Sequence, residues 1–109
     1  MPDREERGRV LVVIAREAIG ERLGVAERRW RDEPWLAQPA ATFVTLRIDE
    51  DLRGCIGSLE ARRPLGEDVA ANARAAAFSD PRFGPLTPGE FARVAVEVSV
   101  LSARTPLEA

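Results

Sequence analysis

The apolar positions of this chain fall into two periods. Leu11, Ile14, Ala15 and Ala18, with the stem of Arg22, recur at three to four residues, and Val10, Val13 and Leu23 widen that stripe. This is the spacing of one helical face. Asp3 followed by Glu6 resembles a capping box, and Gly24 can supply a left-handed stop. The pattern predicts a helix from about Arg4 to Leu23. Val10–Ala15, apolar throughout, is also compatible with a buried strand, but the length of the stripe and its charged flanks favour the helix. Further on the period changes to two. Val44, Leu46 and Ile48 alternate with polar neighbours in Thr42–Ile48. Asp49-Glu50-Asp51 is a charged turn, and Leu52–Leu59 reads as a returning strand, so the two form a hairpin. Alternation places Arg53, Cys55 and Gly57 on one face of the second strand and Leu52, Gly54, Ile56 and Ser58 on the other.

The helical period returns after Pro64, a residue suited to a first helical turn. Leu65, Val69, Ala73 and Ala76 mark its buried side, Glu67 and Asp68 sit near its positive end, and Ala70–Ala77 has high helix propensity. Ser79-Asp80-Pro81 ends this helix, because a residue before proline avoids the α region. Thr87-Pro88-Gly89-Glu90 reads as a capped start to a short helix. Val94, Val96, Val98 and Val100 then alternate in a final strand ending at Leu101, and Pro106 closes the last ordered-looking part. Ala26–Ala41, with Pro34 and Pro39, reads as a loop whose Trp30 and Trp35 pin it to the core. The order helix, hairpin, helix, short helix, strand predicts an α+β fold with helices packed on a sheet.

At 109 residues the chain suits a single domain, 1–109. A net charge of -2 argues against a nucleic-acid or anionic-membrane surface, and no apolar run approaches a membrane span. The first residues lack a signal-peptide pattern, and the single cysteine fits a reducing cytoplasm. The absences are more restrictive. There is no histidine, lysine or tyrosine. This excludes a Ser-His-Asp or Cys-His arrangement, a P-loop lysine and a Schiff-base lysine within the chain. A self-contained zinc site would need more Cys or His than one thiol supplies, so neither a metal nor another cofactor is expected.

What remains is one thiol among carboxylates and guanidiniums. Leu52-Arg53-Gly54-Cys55-Ile56-Gly57 holds that thiol, with two glycines that leave the strand backbone open to close approach. Cys55 is either a small core residue or a thiolate favoured by the Arg53 cation. Glu97, in the middle of the valine-rich strand, either faces solvent or reaches the same cleft as Arg53 and Cys55 and pairs with an arginine. In Asp80-Pro81-Arg82-Phe83, Arg82 can present a guanidinium to an anion, or the segment is simply a rigid loop. Asn72, polar within an alanine-rich helix, either bonds the neighbouring loop or lines a pocket. Arg62-Arg63 reads as a solvated pair.

Six separated stretches match one pattern: Phe43–Leu46, Leu52–Leu59, Pro64-Leu65 with Asp68-Val69, Asn72-Ala73 with Ala76-Ala77-Phe78, Asp80–Phe83, and Val96–Leu101. Together they resemble the AMME-chromosomal-region protein family, called AmmeMemoRadiSam system protein A in bacteria and archaea, over about Val10 to Leu107. The resemblance implies an antiparallel sheet in which the Arg-Gly-Cys segment lines a cleft. It also implies an association with a Memo-like protein and a radical SAM protein. It assigns no reaction. Its hallmark positions are Arg53, Gly54, Cys55 and Gly57, with Asn72, Asp80, Pro81, Arg82 and Glu97 matching secondary motifs. Relatives of this kind run well beyond a point equivalent to Ala109, so the chain is expected to hold about the N-terminal half of the domain. They often carry histidine where this chain has Arg47, which removes a local base for Cys55.

Two readings follow. In one, the chain is an enzyme component in which Cys55 is nucleophile or attachment point, Glu97 assists, and Arg53, Gly54, Gly57, Asn72, Asp80 and Arg82 bind the ligand. In the other, the same cleft belongs to a non-catalytic binding or adaptor module. In both, an uncovered sheet edge is expected to invite self-association.

Overall fold

A computed structural model of the chain describes residues 2–101. Pro106 and the end of the family resemblance lie outside the described residues. Helix α1 spans Arg4–Leu23, capped by the Asp3 carboxylate on the Glu6 amide at 2.8 Å and stopped by Gly24 at φ 77°. Its buried stripe is Leu11, Ile14, Ala15, Ala18 and Ile19. Val13 is not part of it; at 46 % exposure it faces solvent, and Ile19 carries the stripe onward. Arg22 stays at the margin, its guanidinium over the Phe78 ring.

Strand β1, Pro39–Ile48, is the centre of the sheet. It begins three residues before the alternating pattern does, because Pro39-Ala40 pairs with the two-residue strand β3, Arg63-Pro64. A 3-10 turn at Pro34–Ala37 buries Trp35 and Leu36 just before it. Strand β2, Asp51–Gly57, returns antiparallel through Asp49-Glu50, both at positive φ (51° and 71°). That is the backbone of a two-residue hairpin turn whose twist matches the strands. Strand β4, Ala95–Leu101, pairs antiparallel with the other side of β1.

The register sorts the side chains. Val44 lies between Ile56 and Val98, and Leu46 between Gly54 and Val96; this side meets the helices. Thr45 lies between Cys55 and Glu97, and Phe43 between Gly57 and Ser99, on the opposite, open side. Helix α2, Leu65–Phe78, packs on the first side through Val69, Ala73, Ala76 and Ala77. Its small residues allow a close approach: a Cβ on Gly54 would strike the Ala76 carbonyl oxygen. Helix α3, Pro88–Phe91, opens with the expected capping box of Thr87 and Glu90.

One buried polar network ties α2 to the sheet. The Asp68 carboxylate, 1 % exposed, accepts from the Thr42 amide and hydroxyl, the Ser58 hydroxyl, Arg63 Nε and Asn72 Nδ2, at 2.7–3.1 Å. Buried carboxylates are tolerated when paired and saturated with donors, as this one is. Arg63 is therefore no solvated partner of Arg62: it bridges Asp68, Ser58 and Asn72, while Arg62 pairs with Glu60 at the surface.

Candidate functional site on the open sheet face

The residues singled out in the sequence divide into two groups. Cys55, Gly57 and Glu97 come together on the open face. The Cys55 thiol is half-buried, and its Sγ lies 3.2 Å from the Thr45 hydroxyl. Across β1 from it stands Glu97, paired with Arg47 at 3.4 Å, their side chains 59 % and 41 % exposed. The arginine at position 47 thus engages the carboxylate of this row. Gly57 has a different task from ligand approach: the Phe43 ring lies on it, where a Cβ would collide.

The outer edge of β2 is held by the Asp80–Arg82 loop. Asp80 Oδ2 accepts from the Cys55 amide at 3.0 Å, and Arg82 Nη2 reaches the Cys55 carbonyl at 3.5 Å. Arg82 also clasps Asp80 through Nε and Nη2 at 3.0 and 2.7 Å. The Arg82 guanidinium beside it, together with the Arg82 and Cys55 amides, holds the Asp80 carboxyl far below the usual carboxylate range. In return Asp80 strengthens the charged form of Arg82, and Cys55 adds to this. The guanidinium that contacts Cys55, through its backbone carbonyl, is that of Arg82.

Arg53 shares the strand but not the thiol's surroundings. It is the extra residue of a β-bulge: Leu46 pairs with Gly54 and Arg47 with Leu52. Bulges re-aim side chains. Arg53 binds Glu90 through Nε and Nη2, both at 3.0 Å, and the Gly84 carbonyl at 2.9 Å, beneath the Phe83 ring. Its side chain is 13 % exposed, and Nη1 is buried without a partner. The Arg53 guanidinium lowers the Glu90 carboxyl to about 2. Asn72 stands apart, on the helix side, donating to Thr42, Ser58 and Asp68. Its partners lie on β1, just after β2 and on its own helix.

Thr45, Glu90, Ser58 and Asp68 were not singled out in the sequence. For Thr45 the signal is subtle. Counting back from the hairpin turn sets it opposite Gly54, and only the bulge at Arg53 moves Cys55 into place. Among the described residues no three His, Cys, Asp or Glu side chains gather as metal ligands, and no helix is long and apolar enough to cross a membrane.

The profile of the AMMECR1 family matches residues 12–109. The chain belongs to the AMMECR1 family. Protein SSO0193 of Saccharolobus solfataricus is 45 % identical over 104 residues, covering 90 % of this chain and 46 % of its own length. A Methanothermobacter thermautotrophicus protein is 44 % identical over 110 residues, covering 98 % of this chain and 57 % of its own. The crystal structure of the uncharacterized protein PH0010 from Pyrococcus horikoshii superposes with a TM-score of 0.82 at 38 % identity, covering 95 % of this chain and 55 % of that one. The α+β architecture is thus that of a solved AMMECR1 relative. This AMMECR1 chain spans about half the length of the curated relatives it matches.

Proposed function

We propose that this AMMECR1 chain is a cytoplasmic component that works through its open sheet face together with a Memo-like protein and a radical SAM protein. The observation that carries this reading is the Cys55 thiol. It lies half-buried on the open face, against the Thr45 hydroxyl, with its backbone held by Asp80 and Arg82. A thiol placed in this way can act as nucleophile or attachment point for a group that a partner brings, with Arg82 as the adjacent cation and Glu97 as the carboxylate of the same row. Arg53, Gly54, Gly57 and Asn72 support the face in this reading: Arg53 anchors the 84–90 segment, Gly54 seats α2, Gly57 receives Phe43, and Asn72 ties α2 to β1.

A second reading is favoured by a specific observation. Glu97 and Arg53 are each paired within the chain, and there is no histidine to take a proton from Cys55. On that ground the same face serves as a binding or adaptor surface without turnover. Differential alkylation separates the two. The rate of Cys55 labelling by iodoacetamide is measured alone and with each purified partner. Protection by a partner supports the shared face, and unchanged labelling with both refutes it. Given protection, a Cys55→Ala variant that still binds and still supports function in cells selects the adaptor.

A further inference from the structure

The two long edges of the sheet are not alike. On β2 the outer edge is occupied, because Asp80 and Arg82 take the amide and carbonyl of Cys55. Strand β4 has no such cover among the described residues: it pairs with β1 alone. It also lacks the features that blunt an edge. Ala95–Leu101 contains no proline, no lysine and one charge, and it is free of bulges in its pairing with β1. Val100 is 48 % and Leu101 41 % exposed. Beside Val98, Ser99 and Val100 a groove of about 560 Å³ opens onto the core residues Leu11, Trp35 and Leu65, with Arg4 and Arg7 of α1 at its wall.

We infer that a second copy of this chain occupies that edge, through an antiparallel β4–β4 pair about a two-fold axis at Val98. The strand's own pattern selects this occupant. The axis sets Val96 against the partner's Val100 and Val98 against the partner's Val98, all on the helix side over the groove. On the open face it sets Glu97 against the partner's Ser99 and Ala95 against the partner's Leu101. Within the strand pair no like charges meet, and each large side chain faces a small one or another valine. The product is a continuous sheet in the order β2-β1-β4-β4-β1-β2, with both protected β2 edges outermost, so the assembly closes at two copies. The inference is independent of the role given to Cys55.

Sedimentation equilibrium of the full chain across micromolar concentrations tests it. A reversible monomer–dimer equilibrium is expected, lost in Val100→Asp while far-UV circular dichroism is retained. Ser99 variants test the register without touching the core. Ser99→Arg places a cation opposite the partner's Glu97 on both sides of the axis and is expected to tighten the dimer a few-fold to about tenfold, whereas Ser99→Asp weakens it comparably. A monomer at all concentrations overturns the inference. Open-ended multimers overturn it also, as do equal effects of Ser99→Arg and Ser99→Asp.

Discussion

Adding a single methyl group at two different glycines of this chain should have opposite consequences. At Gly54 the new Cβ would strike the Ala76 carbonyl oxygen and lie 3.0 Å from its carbon. The obstacle is helix backbone, held in place by buried Ala73, Ala76 and Ala77, so no side chain can swing aside. Helix and sheet must separate by about an ångström, which opens the Val44–Leu46–Val69 contact layer; overpacking of this kind costs roughly 1–3 kcal/mol, and a backbone obstacle belongs at the upper end. The lost freedom of the unfolded chain returns about 0.5–1 kcal/mol. Gly54→Ala is therefore expected to destabilise by about 2 kcal/mol, which for a domain of this size lowers Tm by about 8–16 °C. Gly8, inside α1, has nothing within 4 Å of its would-be Cβ. There the same substitution should stabilise by about 0.5–1 kcal/mol. Urea unfolding and calorimetry of both variants provide the readout. If Gly54→Ala is neutral or stabilising, α2 does not lie on β2 as described.

Three further outcomes follow from the same geometry. Asp68→Ala strands the Thr42 and Ser58 donors and the Arg63 charge, and should cost about 3–5 kcal/mol in urea unfolding, with Asp68→Asn costing less. Glu90 falls from 4.5 to about 2 on folding and Asp80 is also lowered, so both contribute stability above the unfolded carboxylate range that disappears as protons bind the folded state. Stability should accordingly decline as pH drops below about 4.5, and Glu90→Gln should flatten the decline between pH 4.5 and about 2 when unfolding midpoints are compared at fixed ionic strength. Glu50 holds φ 71° in the hairpin turn, a conformation that costs an L residue about 1 kcal/mol, so Glu50→Gly should raise thermal stability by up to that amount.

Local rules made most of the architecture readable. The Asp3 cap, the Gly24 stop, the Thr87 box and the valine alternation of β4 each depend on near neighbours in sequence, and each is found where the pattern places it. What escaped was set by distant contacts. The start of β1 at Pro39 depends on a two-residue strand that leaves no periodic trace. The exposure of Val13 depends on which side of α1 meets α2. At the site, the thiol's strand and its cross-strand carboxylate were visible as a motif. The Thr45 contact and the turn of Arg53 toward Glu90 were not, because both result from a one-residue bulge. Asp68, one of two acidic residues at a helix start, carries no sequence sign that it closes a five-donor network.

The claim on which the functional account depends is that Cys55 is presented on the open face and is not a packing residue. Iodoacetamide labelling of the folded chain, compared with the same chain in denaturant at equal pH, addresses this directly. The account predicts stoichiometric labelling of the folded chain, much faster than global unfolding, because the half-buried thiol is accessible from the open face. A native thiol that reacts only on the timescale of global unfolding would contradict it, and Cys55 would then belong to the core.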